Sequence, residues 1–149
     1  MADLVVKAGR LLAVQRTLAE VLGLTPPATP KGRYALSRQA SAVEREVEKY
    51  TEQHAALLKK HAATNEAGQP LTQPITLPNG QSGVQYDLGA GFGQTTPAFE
   101  AELKELNDED ITLPGVRMIT HAELGGCPIT GTHELILLAA GLLEDKEPD

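Results

Sequence analysis

Few residues in this sequence have the types and spacing that chemistry needs, and the most suggestive of them lie in VQYDL-GAGFG-QTTPAFEAEL. An alternating segment ends at Leu88, then Gly89, Gly91 and Gly93 follow in a G-x-G-x-G run, with Thr95 and Thr96 opening a helical pattern. Glycines let a backbone turn several N–H groups toward one point, and a helix N-terminus attracts negative charge. Gly89, Gly91, Gly93, Thr95 and Thr96 are therefore the candidate binding residues for a small anionic ligand. The spacing is not the G-x-G-x-x-G of a dinucleotide fold, and no P-loop lysine follows. A plain flexible connection is the competing reading.

The remaining reactive side chains fall apart under the same scrutiny. His121, Cys127 and His133 lack the close ligand pairs, C-x-x-C or H-x-x-x-H, that zinc sites use. Cys127 precedes Pro128 in a glycine-rich turn, with no third group in the sequence to orient a base for it. Asp108, Glu109 and Asp110 are adjacent acids at the end of a helical pattern, whereas general acid–base work needs carboxylates facing each other across a pocket. No catalytic residue, metal ligand or cofactor is assigned.

These residues must be positioned by a small set of elements, of which one dominates. Leu36, Ala40, Val43, Val47, Tyr50, His54, Leu57 and His61 alternate steps of four and three, the a/d spacing of a helix laid along a partner. With no Pro or Gly from Tyr34 to His61, this helix would run roughly 40 Å at 1.5 Å per residue. Before it, Leu4, Val5 and Val6 favour a short strand, and residues 7–22 read as an amphipathic helix stopped by Gly23. The proline-rich connection 23–33 lets that first helix fold back, giving a helical hairpin over 7–63. The first helix covers only about half the length of the second at the same rise per residue. The stripe Val43, Val47, Tyr50, His54 and Leu57 is thus the expected interface with a protein partner or a second copy. Tyr50, His54 and His61 are polar-tipped; they suit either an edge position with their tips in water, the reading favoured for Tyr50, or a partner-binding surface that tolerates partial exposure.

The second portion, 71–143, reads as α+β. Ile75 and Leu77, then Val84, Tyr86 and Leu88, alternate on either side of Pro78-Asn79-Gly80, which predicts a β-hairpin over 72–88, with Pro74 on an edge strand. Thr96 caps and Pro97 opens a short helix ending at Leu106, buried along Phe99, Leu103 and Leu106. Residues 111–119 are extended around Pro114-Gly115, and Thr132 caps a last helix over 133–143. Residues 144–149 form an acidic, frayed tail. The expected fold is a single α+β domain: an N-terminal helical hairpin with one long heptad-patterned helix, a small antiparallel β segment and two short C-terminal helices.

Composition bounds the function. The chain has 149 residues, a net charge of −7 and only 3% aromatics, so its core is aliphatic. Net negative charge without clustered Lys and Arg argues against nucleic acid as a partner. No apolar segment reaches the length of a membrane span, the first residues read as mature protein, and the single Cys127 suits a reducing compartment; a cytoplasmic location is expected.

The order of parts resembles a family of short, uncharacterised proteins of tailed bacteriophages and prophages, a domain of unknown function. The likeness is carried by VVKAGRLLAVQRTLAEVLG, by RYALSRQASAVEREVEKYTEQHAALLKKH, and by FEAELKELNDEDITL before a Leu-rich C-terminal helix. The resemblance implies a phage-type α+β accessory protein in the host cytoplasm or on the virion, and it brings no catalytic residues. The leading expectation is a non-enzymatic protein that acts by protein–protein binding or self-assembly through its long helix, in virion assembly or in interference with a host protein. The alternative is a small-ligand or nucleotide sponge using the 89–96 loop. An enzyme ranks third.

Overall fold

The computed structural model describes residues 3–145 and is a mixed α+β chain with five helices and two small antiparallel sheets. In order these are β1 (Leu4–Lys7), a single 3₁₀ turn (Ala8–Arg10), α1 (Leu11–Leu22) and α2 (Pro30–His61), then β2 (Thr72–Thr76) and β3 (Ser82–Tyr86). They are followed by α3 (Pro97–Asn107), β4 (Asp110–Leu113), α4 (His121–Leu124) and α5 (Gly131–Ala139). The chain forms two compact units. One takes the residues up to Tyr50 together with those from Asn107 onward, and the other is Thr51–Leu106. The division falls inside α2, whereas the sequence suggested a subdivision between residues 63 and 71.

In the first unit, β1 and β4 pair antiparallel, with Leu4 opposite Leu113 and Val6 opposite Ile111 on the inner face. Val5 and Lys7 point outward, as a period of two requires. Leu11, Val14, Leu18 and Val21 of α1 share one core with Leu36, Val43 and Val47 of α2 and with Leu113, Ile119, Leu137 and Leu142. A parallel bridge between Ile119 and Leu143 ties the chain after α5 to the segment before α4.

Helix α2 begins earlier than the sequence predicts. Pro30 sits at its first position, and Thr29 caps it: the Thr29 hydroxyl accepts from the Gly32 amide at 3.1 Å. A proline lacks an N–H that the first turn does not need, so it starts this helix and does not interrupt it. Gly32 is there for space, since a Cβ at this position would lie 2.2 Å from the carbonyl oxygen of Glu123.

Two further boundaries differ from expectation. Helix α4 was not anticipated; Thr120 and Glu123 close a capping box around it. Helix α5 is capped by Thr130, not Thr132, because His133 takes the Glu/Gln place of the box: its Nδ1 accepts from the Thr130 amide at 3.2 Å. The helix ends at Ala139, not 143. Gly141 adopts φ +75°, and the amides of Gly141 and Leu142 bond back to Leu138 and Leu137, the pattern of a Schellman stop. Of the acidic tail, Glu144 and Asp145 are exposed, and 146–149 lie outside the described residues.

The second unit contains the hairpin as predicted, with Thr72 opposite Tyr86 and Thr76 opposite Ser82, turned by Gly80 at φ +83°. Val84 points outward opposite Pro74; the inner pairs are Gln73 with Gln85 and Ile75 with Gly83. Phe99 of α3 is buried, with the rings of His54 and His61 edge-on to it at 6.4 and 5.7 Å. Leu103 and Leu106 are half-buried.

Candidate functional site

The glycine loop holds an anion already, and it is the chain's own. Asp87 Oδ1 accepts from the amides of Gly89 at 2.8 Å and Gly91 at 3.1 Å. The two N–H groups that face one point are therefore neutralised by a carboxylate, and a phosphate placed there would meet its charge. Thr95 donates its hydroxyl to Glu100, and the Thr96 hydroxyl accepts from the Phe99 amide as the cap of α3. Gly93, at φ +77°, lies against the Gln85 side chain. Gly89, Gly91, Gly93, Thr95 and Thr96 thus form a closed turn and a helix cap, not an open cradle.

The predicted interface stripe also turns inward. Val43 is fully buried and Val47 nearly so, both within the chain's own core, so they present no surface to a partner. Tyr50 is half-buried and donates to Asn107 Oδ1 at 2.7 Å. Desolvation raises its hydroxyl above the ordinary tyrosine range. His54 and Leu57 are half-buried, and His61 Nε2 lies 2.7 Å from Glu102, which also takes Lys60 at 2.7 Å. These contacts from Lys60 and His61 hold the Glu102 carboxyl below its usual range. The half of α2 that lacked a visible partner in sequence meets Phe99 of α3, brought there by a connection no local pattern announces.

The remaining candidates are structural. Cys127 is buried, its Sγ 3.9 Å from the Val21 carbonyl, and burial pushes its thiol up, away from the thiolate a nucleophile needs. His133 lines a cavity of about 360 Å³ with Thr132, Arg16 and Glu20. Its Nδ1 accepts the Thr130 amide while Nε2 faces Glu20 Oε2 at 2.8 Å, so neither ring nitrogen is left to work as a base. Asp110 pairs with Lys7 at 2.6 Å in solvent, at the start of β4 and not at the end of a helix. Among the described residues no three His, Cys, Asp or Glu side chains come together as a metal site. No helix among them is long and apolar enough to cross a membrane.

What the sequence reading missed is a groove along the first turns of α2. Tyr34, Ser37, Arg38, Ser41 and Arg45 share one helix face, and Pro114–Arg117 forms the facing wall. Two cavities, about 380 and 280 Å³, adjoin through Tyr34, Arg38 and Val116. The wall is held firmly. Arg38 donates through Nε and Nη2 to the Gly115 carbonyl at 3.2 and 3.0 Å, and Gln39, fully buried, donates to the carbonyls of Arg117 at 2.8 Å and Leu142 at 3.0 Å. Arg117 in turn forms a two-pronged pair with Glu123, at 2.7 and 2.5 Å. That pair, helped by Thr120, depresses the Glu123 carboxyl to about 2.

The groove's surface is mixed. Tyr34 is 65% exposed, with the Arg38 guanidinium 5.7 Å from its ring centre. Ala35, Ala42 and Val116, all buried, make the floor. An exposed aromatic beside an arginine, over buried Ala and Val, combines residue types that are enriched at interface centres. Its signal in sequence was the spacing Tyr34, Arg38, Ser41, Arg45, a second stripe beside the heptad one. Searches of protein-family models, of curated proteins and of solved structures find no match to this chain.

Proposed function

We propose that this chain is a non-enzymatic accessory protein that works by binding another protein, and that the Tyr34–Arg45 groove is its docking surface. The observation that carries the reading is Tyr34, left 65% exposed at the junction of two cavities whose walls are pinned by buried or bidentate hydrogen bonds. Large aromatics presented on a rigid frame are the side chains that dominate binding energies at interfaces. The phage-type setting implied by the N-terminal and α2 sequences, either virion assembly or interference with a host protein, belongs to this proposal. Self-association through Val43 and Val47 loses its support, since both valines are core residues. The nucleotide-sponge alternative loses its support to Asp87.

A photo-crosslinker attached at Ser41→Cys tests the docking reading, because the native thiol, Cys127, is buried and will not compete for the label. Crosslinks from this position to one defined protein, lost on Tyr34→Ala in a protein that still folds, are expected. Crosslinking unaffected by Tyr34→Ala would refute the groove as the docking surface.

A further inference from the structure

From the charges around this groove we infer that its occupant is an acidic, extended peptide segment of the partner, with carboxylates about three residues apart. The inference rests on the docking reading above and adds the chemistry of what docks.

The chain carries 20 acidic and 13 basic residues, so an arginine on its surface has no shortage of carboxylates to meet. The groove nevertheless gathers three arginines and one acid, Asp3, which shares the larger cavity with Arg38 and Arg117 but forms no ion pair with either among the described residues. Arg117 is neutralised by Glu123. Arg38 is not: its hydrogen bonds go to the Gly115 carbonyl and, through Nη1, to the Tyr34 hydroxyl at 3.2 Å, both uncharged acceptors. Those three bonds leave one N–H on each terminal nitrogen of Arg38. Arg45 has no hydrogen bond or ion pair among the described residues, and it lines the cavity at the other end. Two uncompensated guanidinium groups over an apolar floor define an occupant with negative charge and an apolar side chain between the charges.

The spacing narrows the class further. Arg38 and Arg45 are two helical turns apart, a rise of roughly 10 Å. An extended chain in the polyproline II form advances roughly 3.1 Å per residue with about three residues per turn, so carboxylates at positions i and i+3 lie on one side and would reach the two arginines together. An apolar side chain between them would lean toward Val116 and Ala42, and a residue preceding the first carboxylate would meet the Tyr34 ring. The whole run from Tyr34 to Arg45 rises roughly 16 Å, room for about five residues of extended peptide.

The test uses the full chain and fluorescein-labelled peptides of about ten residues, a length that overhangs the groove at both ends. One set carries two Glu three positions apart around a Leu pair; matched sets carry Gln or Lys in place of Glu, or Glu at adjacent positions. Anisotropy titrations are expected to show the spaced-Glu set binding about tenfold or more tighter than the others, weakening as salt rises. Arg45→Gln, which removes no hydrogen bond of the fold, is expected to erase that preference, and Arg45→Lys to restore part of it. Equal binding of the Gln set, no binding of the spaced-Glu set, or indifference to Arg45→Gln would each overturn the acidic-peptide inference. The Ser41→Cys crosslink separates the two levels: crosslinks that depend on Tyr34 but not on Arg45 keep the docking reading and remove only its acidic occupant. Sedimentation of the protein alone checks the other occupant, and dimers lost with Arg45→Gln would replace the foreign peptide by a second copy and overturn the inference.

Discussion

Replacing Gly32 by alanine is the sharpest test of how the first unit is assembled. By helix propensity alone the change favours the folded state, since glycine in a helix interior costs about 1 kcal/mol relative to alanine. The structure reverses that sign. The new Cβ would lie 2.2 Å from the Glu123 carbonyl oxygen and 2.9 Å from its carbonyl carbon, distances real side chains do not tolerate. The obstacle is backbone, and it cannot swing aside: the Glu123 carbonyl accepts from the Thr29 amide at 3.0 Å and from the Thr29 hydroxyl at 2.9 Å. Relief means parting α2 from the α4 segment and losing both bonds, at about 1 kcal/mol each. Strain of overpacking adds about 1–3 kcal/mol. Set against the propensity gain, the net destabilisation is about 2–4 kcal/mol, a fall in Tm of roughly 5–15 °C for a chain of this size. Thermal melts followed by far-UV circular dichroism give the answer. Gly131→Ala serves as the control, because a Cβ there meets nothing within 4 Å. A Gly32→Ala protein that melts at or above the wild type would refute the close packing of α2 on the residues around Glu123.

Three further outcomes are expected. Glu123→Gln should flatten the acid limb of the stability profile: the folded carboxyl is depressed to about 2 by Arg117 and Thr120, so its contribution is present above pH 4.5 and lost as pH falls toward 2. Urea unfolding in steps across that window measures it, and parallel profiles for the two proteins would show the pair to be solvated. Val47→Glu should cost several kcal/mol by burying an unpaired charge, and it should appear as unfolding at every protein concentration in circular dichroism paired with light scattering. A folded variant with an altered oligomeric state would return Val47 to an intermolecular surface. Asp87→Ala should open the 89–91 turn by removing the acceptor of two amides; native mass spectrometry with inorganic phosphate should show no adduct on the wild type, whose nest is filled. A phosphate adduct on the wild type would restore the loop as an anion site.

What was legible in the sequence was whatever is decided locally. The hairpin around Pro78-Asn79-Gly80, the Thr96-Pro97 opening of α3 and the uninterrupted course of α2 all follow from residues a few positions apart. Thr29-Pro30 is the same opening as Thr96-Pro97, yet the neighbouring Pro26, Pro27 and Gly32 give the stretch the composition of a breaker and hide the start of α2. Thr120-x-x-Glu123 was an equally plain capping signal, lost because only four helical residues follow it. The box at Thr130 has a histidine where the pattern calls for Glu or Gln, so its sequence does not announce it. The pairing of β1 with β4 joins residues more than a hundred positions apart, and with it Leu113, Val116 and Ile119 reach the core that holds Val43 and Val47. A heptad stripe states that a helix face is covered; it does not state by what.

The two candidate sites end as opposites, and the contrast is what supports the groove as the proposed docking surface. At the glycine loop the sequence displayed the geometry of an anion nest, and the fold supplied the anion itself from Asp87, one residue outside the strand that leads in. A polar turn closed in this way stabilises the hairpin and asks for nothing from solution. On α2 the reverse holds. One face of the helix, spaced by threes and fours, is consumed by packing, while the neighbouring face carries arginines in a chain with a surplus of carboxylates. Arg38 spends its hydrogen bonds on holding the Gly115 wall and keeps its charge uncompensated, and Arg45 has no partner among the described residues. Those two charges without ion pairs, beside an exposed tyrosine and over buried Ala35, Ala42 and Val116, are what support the proposed acidic partner segment.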